Sequence, residues 1–135
     1  MPRLDEAREF IPVRIAVLTV SNTRVLSNDT SGDVLVAAIA EAGHALAARE
    51  IVRDDVTAIR GLVSAWIKDP NIDVVISTGG TGFTGHDVTP EAVVPLFEKT
   101  IEGFAIVFHM LSYQKIETST IQSRACAGLA HGRWR

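Results

Sequence analysis

Residues 78–91 read Thr78-Gly79-Gly80-Thr81-Gly82-Phe83-Thr84-Gly85-His86-Asp87-Val88-Thr89-Pro90-Glu91, and this stretch holds the densest chemistry in the chain. Glycines at 79, 80 and 82 remove side chains and let the backbone bend tightly. Successive exposed N–H groups in such a bend can surround an anion. Thr81 and Thr84 add hydroxyl donors. A helix opening at Thr89-Pro90-Glu91, with threonine at the N-cap and proline at the first helical position, would add the positive end of its dipole. Asp87 does not fit a bare anion cradle, because a carboxylate beside phosphates repels them unless a cation lies between. Mg²⁺ bound by one or two carboxylates plus phosphate oxygens meets that condition. The competing reading makes Asp87 a helix cap, and Thr89 stands nearer the expected cap position. The loop lacks G-x-x-x-x-G-K-[ST], so it is no P-loop. Gly80-x-Gly82-x-x-Gly85 matches G-x-G-x-x-G literally, but it falls late in the chain and has no acidic residue closing a following strand, so a dinucleotide-binding oxidoreductase is the weaker alternative.

The loop must be held by the elements around it. Val13–Val20 is a mostly apolar run of the kind found in strands buried on both faces of a parallel sheet. After polar residues 21–33, Leu35, Ala38, Ile39 and Ala42 recur at helical spacing, with Ser31 as a candidate cap and Gly43 suited to the left-handed position that ends a helix. Residues 44–52 form a weaker strand candidate. Asp54 or Asp55 can cap the next helix, in which Ile59, Leu62, Val63, Trp66 and Ile67 share a face and Pro70 prevents continuation. Residues 72–77 form a second strong strand that runs straight into the glycine loop. Phe104, Val107, Phe108 and Leu111 suggest a further helix. The alternation predicts an α/β fold, a three-layer sandwich with a mostly parallel sheet, made of a lead-in (1–12) and one domain (13–135). In such folds ligands sit beyond the carboxyl ends of the strands, so the loop after Val20, the Asp54-Asp55 pair and the glycine loop are expected to converge.

The chain has 135 residues, 47% of them hydrophobic and 21% charged, a globular composition for one domain. A net charge of −3 without a basic stripe argues against a broad nucleic-acid footprint. No apolar run is long enough for a membrane span, the N-terminus does not read as a signal peptide, and Cys126 stands alone; these features fit a cytoplasmic setting. Cys126 reads as a small buried hydrophobe, Trp66 as core or interface, and His44, His86 and His109 as surface, loop or interface residues rather than metal ligands.

The segment 78–91 resembles the signature of the MoaB/MogA family of molybdenum-cofactor biosynthesis proteins. Leu18-Thr19-Val20-Ser21-Asn22, Glu102-Gly103-Phe104 and Thr120-Ile121-Gln122-Ser123-Arg124 are similar to other family segments. Asp29-Thr30-Ser31-Gly32 and Glu41-Ala42-Gly43-His44 are similar to the MoaB branch in particular. The resemblance implies a molybdopterin-binding protein that joins the pterin's terminal phosphate to AMP from MgATP and releases pyrophosphate; the alternative within the family is a non-catalytic binder or carrier. It implies that Asp54 and Asp87 hold Mg²⁺ or organise the nucleotide phosphates. Gly79, Gly80, Thr81, Gly82 and Thr84 then bind substrate, with Ser21 and Ser123 within reach. It further implies a trimer or hexamer and dealings with other cofactor-biosynthesis proteins. Relatives continue past the position of Leu129 with a strand, a Pro-Gly loop and a last helix, and 130–135 do not read as that ending.

Overall fold

The computed structural model describes residues 9–80, 85, 87–107, 110, 124 and 126–130. Its centre is a parallel sheet of β1 (Arg14–Val20), β2 (Ala45–Val52) and β3 (Val74–Thr78) in the order β2-β1-β3. Helix α1 (Thr30–Glu41) connects β1 to β2, and α2 (Val56–Lys68) carries the chain back across β1 to β3. The short helix α3 (Thr89–Val93) follows the glycine loop and runs into a 3-10 turn at Val94–Leu96. Residues 102–107 are helical. A small antiparallel pair, β4 (Lys99–Thr100) and β5 (Gly128–Leu129), ties residues 126–130 to the body.

Strand β1 shows why the sheet needs cover on both sides. Ala16, Leu18 and Val20 point to one face, where they pack with Ile59, Val63 and Trp66 of α2 and with Ala92 and Val93 of α3. Ile15 and Val17 point to the other, against Ile39 of α1. An uninterrupted apolar run in a period-two element is therefore the pattern of a central strand between two helical layers. The predicted α/β three-layer arrangement is the observed one. Trp66 belongs to the core, with 7% of its surface exposed.

Local corrections have local causes. The cap of α1 is Asp29, not Ser31: its carboxylate accepts the Gly32 N–H at 3.0 Å, and the helix begins at Thr30. Gly43 does take the left-handed conformation that closes α1, with φ of 84°. Of the two candidate caps of α2, Asp55 is the one used, accepting the Ala58 N–H at 2.8 Å. Strand β3 begins at Val74 rather than at residue 72. Thr89 is not an N-cap but the first residue of α3; Val88 holds the cap position, and Pro90 sits one residue further in than predicted. Val88, not Asp87, thus stands at the cap. His44 is more than a surface residue, since its Nδ1 accepts the Val13 N–H at 3.0 Å and its ring lies 5.1 Å from that of Phe10. Cys126 packs against the core, and burial pushes its thiol pKa up. Phe108, His109 and Leu111 lie outside the described residues.

Candidate functional site

The chain leaves β1 in one direction through α1 and returns past it through α2, so the carboxyl end of β1 is the point where the strand order reverses. Crevices of open α/β sheets form there. Three loops meet at this point, and hydrogen bonds show that they touch. The Ser21 N–H donates to the Val52 carbonyl at 2.9 Å, and the Asp54 N–H donates to Asn22 Oδ1 at 2.9 Å. The Val88 N–H donates to Asp54 Oδ1 at 3.1 Å. Loops following β1, β2 and β3 are thus stitched together at Asp54.

The glycine loop is shaped by contacts that only glycine permits. Gly79 and Gly80 have φ of 94° and 68°. A Cβ on Gly79 would lie 2.3 Å from the Val20 carbonyl oxygen. One on Gly80 would lie 2.2 Å from Thr89 Oγ1 and 3.2 Å from Asp54 Oδ1. Thr89, 2% exposed, fixes the loop from behind. Its hydroxyl donates to the Gly79 carbonyl at 2.9 Å and its N–H donates to the Gly80 carbonyl at 3.0 Å. The groups that would repel an anion, the two carbonyls, are therefore both turned onto Thr89. Helix α3 spans five residues, so its dipole adds less than a full-length helix would.

Arg124 joins the segment after the glycine loop. Its guanidinium donates to the Asp87 carbonyl and pairs with the Glu91 carboxylate. Arg124 holds the Glu91 carboxyl below its usual range, and Glu91 in turn raises the guanidinium. On the other side of Asn22, a groove of about 490 Å³ runs between the loop after β1 and the end of β2, with walls including Val25, Leu26, Ile51 and Arg53.

Of the residues singled out in the sequence, Asp54, Gly79, Gly80 and the backbone at Asp87 converge. Ser21 lies at the same edge, and its Oγ accepts the N–H groups of Thr23 and Arg24 at 3.2 and 3.1 Å. Thr81, Gly82, Thr84, His86 and Ser123 lie outside the described residues. Asn22, Thr89 and Arg124 were missed as site residues. Asn22 and Arg124 fall inside family-like segments, and the sequence alone marks Thr89 only as a cap. Among the described residues no group of three or more His, Cys, Asp or Glu side chains gathers to hold a metal. Mg²⁺ is commonly held by one or two carboxylates and mainly by substrate phosphates. Asp54 is a candidate for that role; its Oδ1 takes the Val88 N–H at 3.1 Å.

Fold and site together define an α/β domain whose candidate ligand edge is built at the strand-order reversal from a glycine loop and an adjacent carboxylate. A family profile described as "Probable molybdopterin binding domain" matches residues 16–131. Molybdenum cofactor biosynthesis protein B of Escherichia coli K12 is 54% identical over 123 residues, covering 91% of this chain and 72% of that protein. The protein of the same name from Bacillus subtilis 168 is 46% identical over 118 residues, covering 87% and 69%. A crystal structure of a molybdenum cofactor biosynthesis protein B superposes with a TM-score of 0.86 at 41% identity, covering 91% of this chain and 77% of that one. The chain belongs to the MoaB/MogA family of molybdopterin-binding domains. Among the described residues no helix is long and apolar enough to cross a membrane.

Proposed function

We propose that this protein acts in molybdenum-cofactor biosynthesis by binding molybdopterin at the carboxyl edge of the sheet and adenylylating its phosphate from MgATP. The observation that carries the reading is the junction at Asp54. One carboxylate is hydrogen-bonded to the Val88 N–H, beside Asp87, and abuts a glycine loop whose backbone conformation admits no side chain. Phosphoryl chemistry asks for alignment and charge neutralisation more than for a protein nucleophile. In this reading a phosphate oxygen of the pterin attacks the α-phosphorus of ATP, the bond to the β-phosphate breaks, and pyrophosphate leaves. Gly79 and Gly80, with Thr81, Gly82 and Thr84, hold phosphate or pterin through backbone and hydroxyl donors. Ser21 and Ser123 reach the same ligand. Asp54 and Asp87 hold Mg²⁺, which supplies charge neutralisation on the phosphates when bound.

The second reading, a non-catalytic molybdopterin carrier, uses the same loop but gives the two aspartates no joint task. Incubation with molybdopterin, ATP and Mg²⁺, followed by chromatographic detection of adenylylated pterin and of pyrophosphate, separates the two. Equimolar appearance of both products is expected. Tight molybdopterin binding without either product selects the carrier.

A further inference from the structure

The site contains a tie that nothing in the proposed reaction uses. Asp54 lies two residues past the end of β2, and Asp55 already caps α2. The backbone between strand and helix is therefore very short. Its path is set from β1. In a parallel ladder, a residue that donates its N–H to one carbonyl of the neighbouring strand offers its own carbonyl to the N–H two residues further along. Ser21 donates to the Val52 carbonyl, so the next acceptor in the ladder would be the Ser21 carbonyl and its donor the Asp54 N–H. The chain bends away after Val20, and the acceptor that Asp54 finds is Asn22 Oδ1, at 2.9 Å. The amide side chain continues the ladder by one step where the main chain cannot. It fixes the backbone of the residue whose carboxylate then crosses the end of β1 to meet Val88.

We propose that Asn22 is a positioning residue for Asp54: its side-chain carbonyl holds the Asp54 backbone so that the carboxylate spans from β2 to the Asp87-Val88 backbone. Only an acceptor of that length at position 22 performs this. Asparagine and aspartate do; alanine does not. The consequence for turnover rests on the adenylylation reading above, whereas the tie itself is testable without it.

The test compares Asn22→Ala and Asn22→Asp with the parent by amide hydrogen exchange in the ligand-free protein and by steady-state adenylylation of molybdopterin. Asn22→Ala is expected to lose tenfold or more protection at the Asp54 amide while Val17 and Leu18 in the core stay unchanged, and Asn22→Asp is expected to restore it. In the turnover assay, Asn22→Ala is expected to lower kcat about tenfold with KM for ATP within about twofold, the pattern of misplaced catalytic geometry rather than lost binding. Unchanged exchange at Asp54 in Asn22→Ala overturns the proposal, as does full kcat in an active parent series whose Asp54 amide has lost protection. If the parent itself makes no product, the adenylylation reading fails alone, and the exchange pattern across the two variants still decides whether Asn22 holds Asp54.

Discussion

At the scale of single residues, the site depends on two backbone conformations and on the carboxylates beside them. Gly79 and Gly80 adopt positive φ in succession, and each lies where a Cβ would strike a neighbour, Val20 in one case and Thr89 in the other. A side chain at Gly80 meets two obstacles, the left-handed conformation and the Thr89 hydroxyl that holds the Gly79 carbonyl. Gly80→Ala is therefore expected to lower folding stability by about 2 kcal/mol in urea denaturation. Molybdopterin affinity should fall more than tenfold, measured by fluorescence titration. Parent-like stability and affinity would mean the loop is not the cradle. The glycines were legible in the sequence because their spacing has few other uses. The partners were less so. Nothing in the order of residues says that Thr89 turns back onto the loop instead of capping its helix, or that Arg124, thirty-seven positions after Asp87, returns to its carbonyl.

At the scale of elements, α1 is anchored through Asp29, whose side chain is fully buried. Its carboxylate accepts from Thr19 Oγ1 at 2.7 Å, from the Gly32 N–H at 3.0 Å and from Arg49 at 3.2 Å, so it joins β1, α1 and β2. Burial alone would push the Asp29 carboxyl up. The hydrogen bonds from Thr19, Gly32 and Arg49, with the Arg49 charge, outweigh it and hold the group below the usual aspartate value. A carboxyl with a depressed folded pKa stabilises the fold above the unfolded value of about 3.9 and loses that contribution as pH falls through the folded one. Asp29→Asn should accordingly be less stable than the parent at neutral pH, with the gap narrowing below about pH 4 in pH-dependent denaturation. A gap independent of pH would show that the charge of Asp29 does not matter. Gly32 belongs to the same arrangement, because a Cβ there would lie 2.1 Å from Asp29 Oδ2. Helix α2 offers the opposite case. Gly61 is exposed in mid-helix with nothing within 4 Å of a built Cβ. Gly61→Ala is thus expected to raise stability by about 0.5–1 kcal/mol in the same assay. The helices were legible from apolar spacing, since Ile59, Val63 and Trp66 can share a face only at that period. Their starts were not. Ser31, Asp29, Asp54 and Asp55 are all good caps, and tertiary partners such as Thr19 and Arg49 decide among them.

At the scale of the whole molecule, the sheet order places the ends of β1, β2 and β3 side by side, and that placement makes a site of residues distant in sequence. The apolar runs and the rule for ligand sites in α/β folds were enough to foresee which three loops meet. They did not reveal the bonds that join them, because Asn22, Asp54 and Val88 find each other through geometry rather than pattern. The trimer or hexamer that the family resemblance implies can be tested directly. Val34, Leu46, Ile106 and Met110 are 68%, 42%, 62% and 63% exposed. Light scattering should return a trimer or hexamer mass; a monomer across micromolar concentrations would contradict it. Calorimetric titration with ATP should show affinity that depends on Mg²⁺, and equal affinity in chelator would remove the metal role of Asp54 and Asp87. The central claim is that these carboxylates serve transfer rather than mere pterin binding, and it is tested most directly by Asp87→Asn in the adenylylation assay, with molybdopterin affinity measured alongside. The account predicts turnover lowered by on the order of a hundredfold, equivalent to about 2.7 kcal/mol of barrier, with pterin affinity changed much less. Full turnover in Asp87→Asn, or a parent that binds molybdopterin tightly and never forms the adenylylated product, would contradict it.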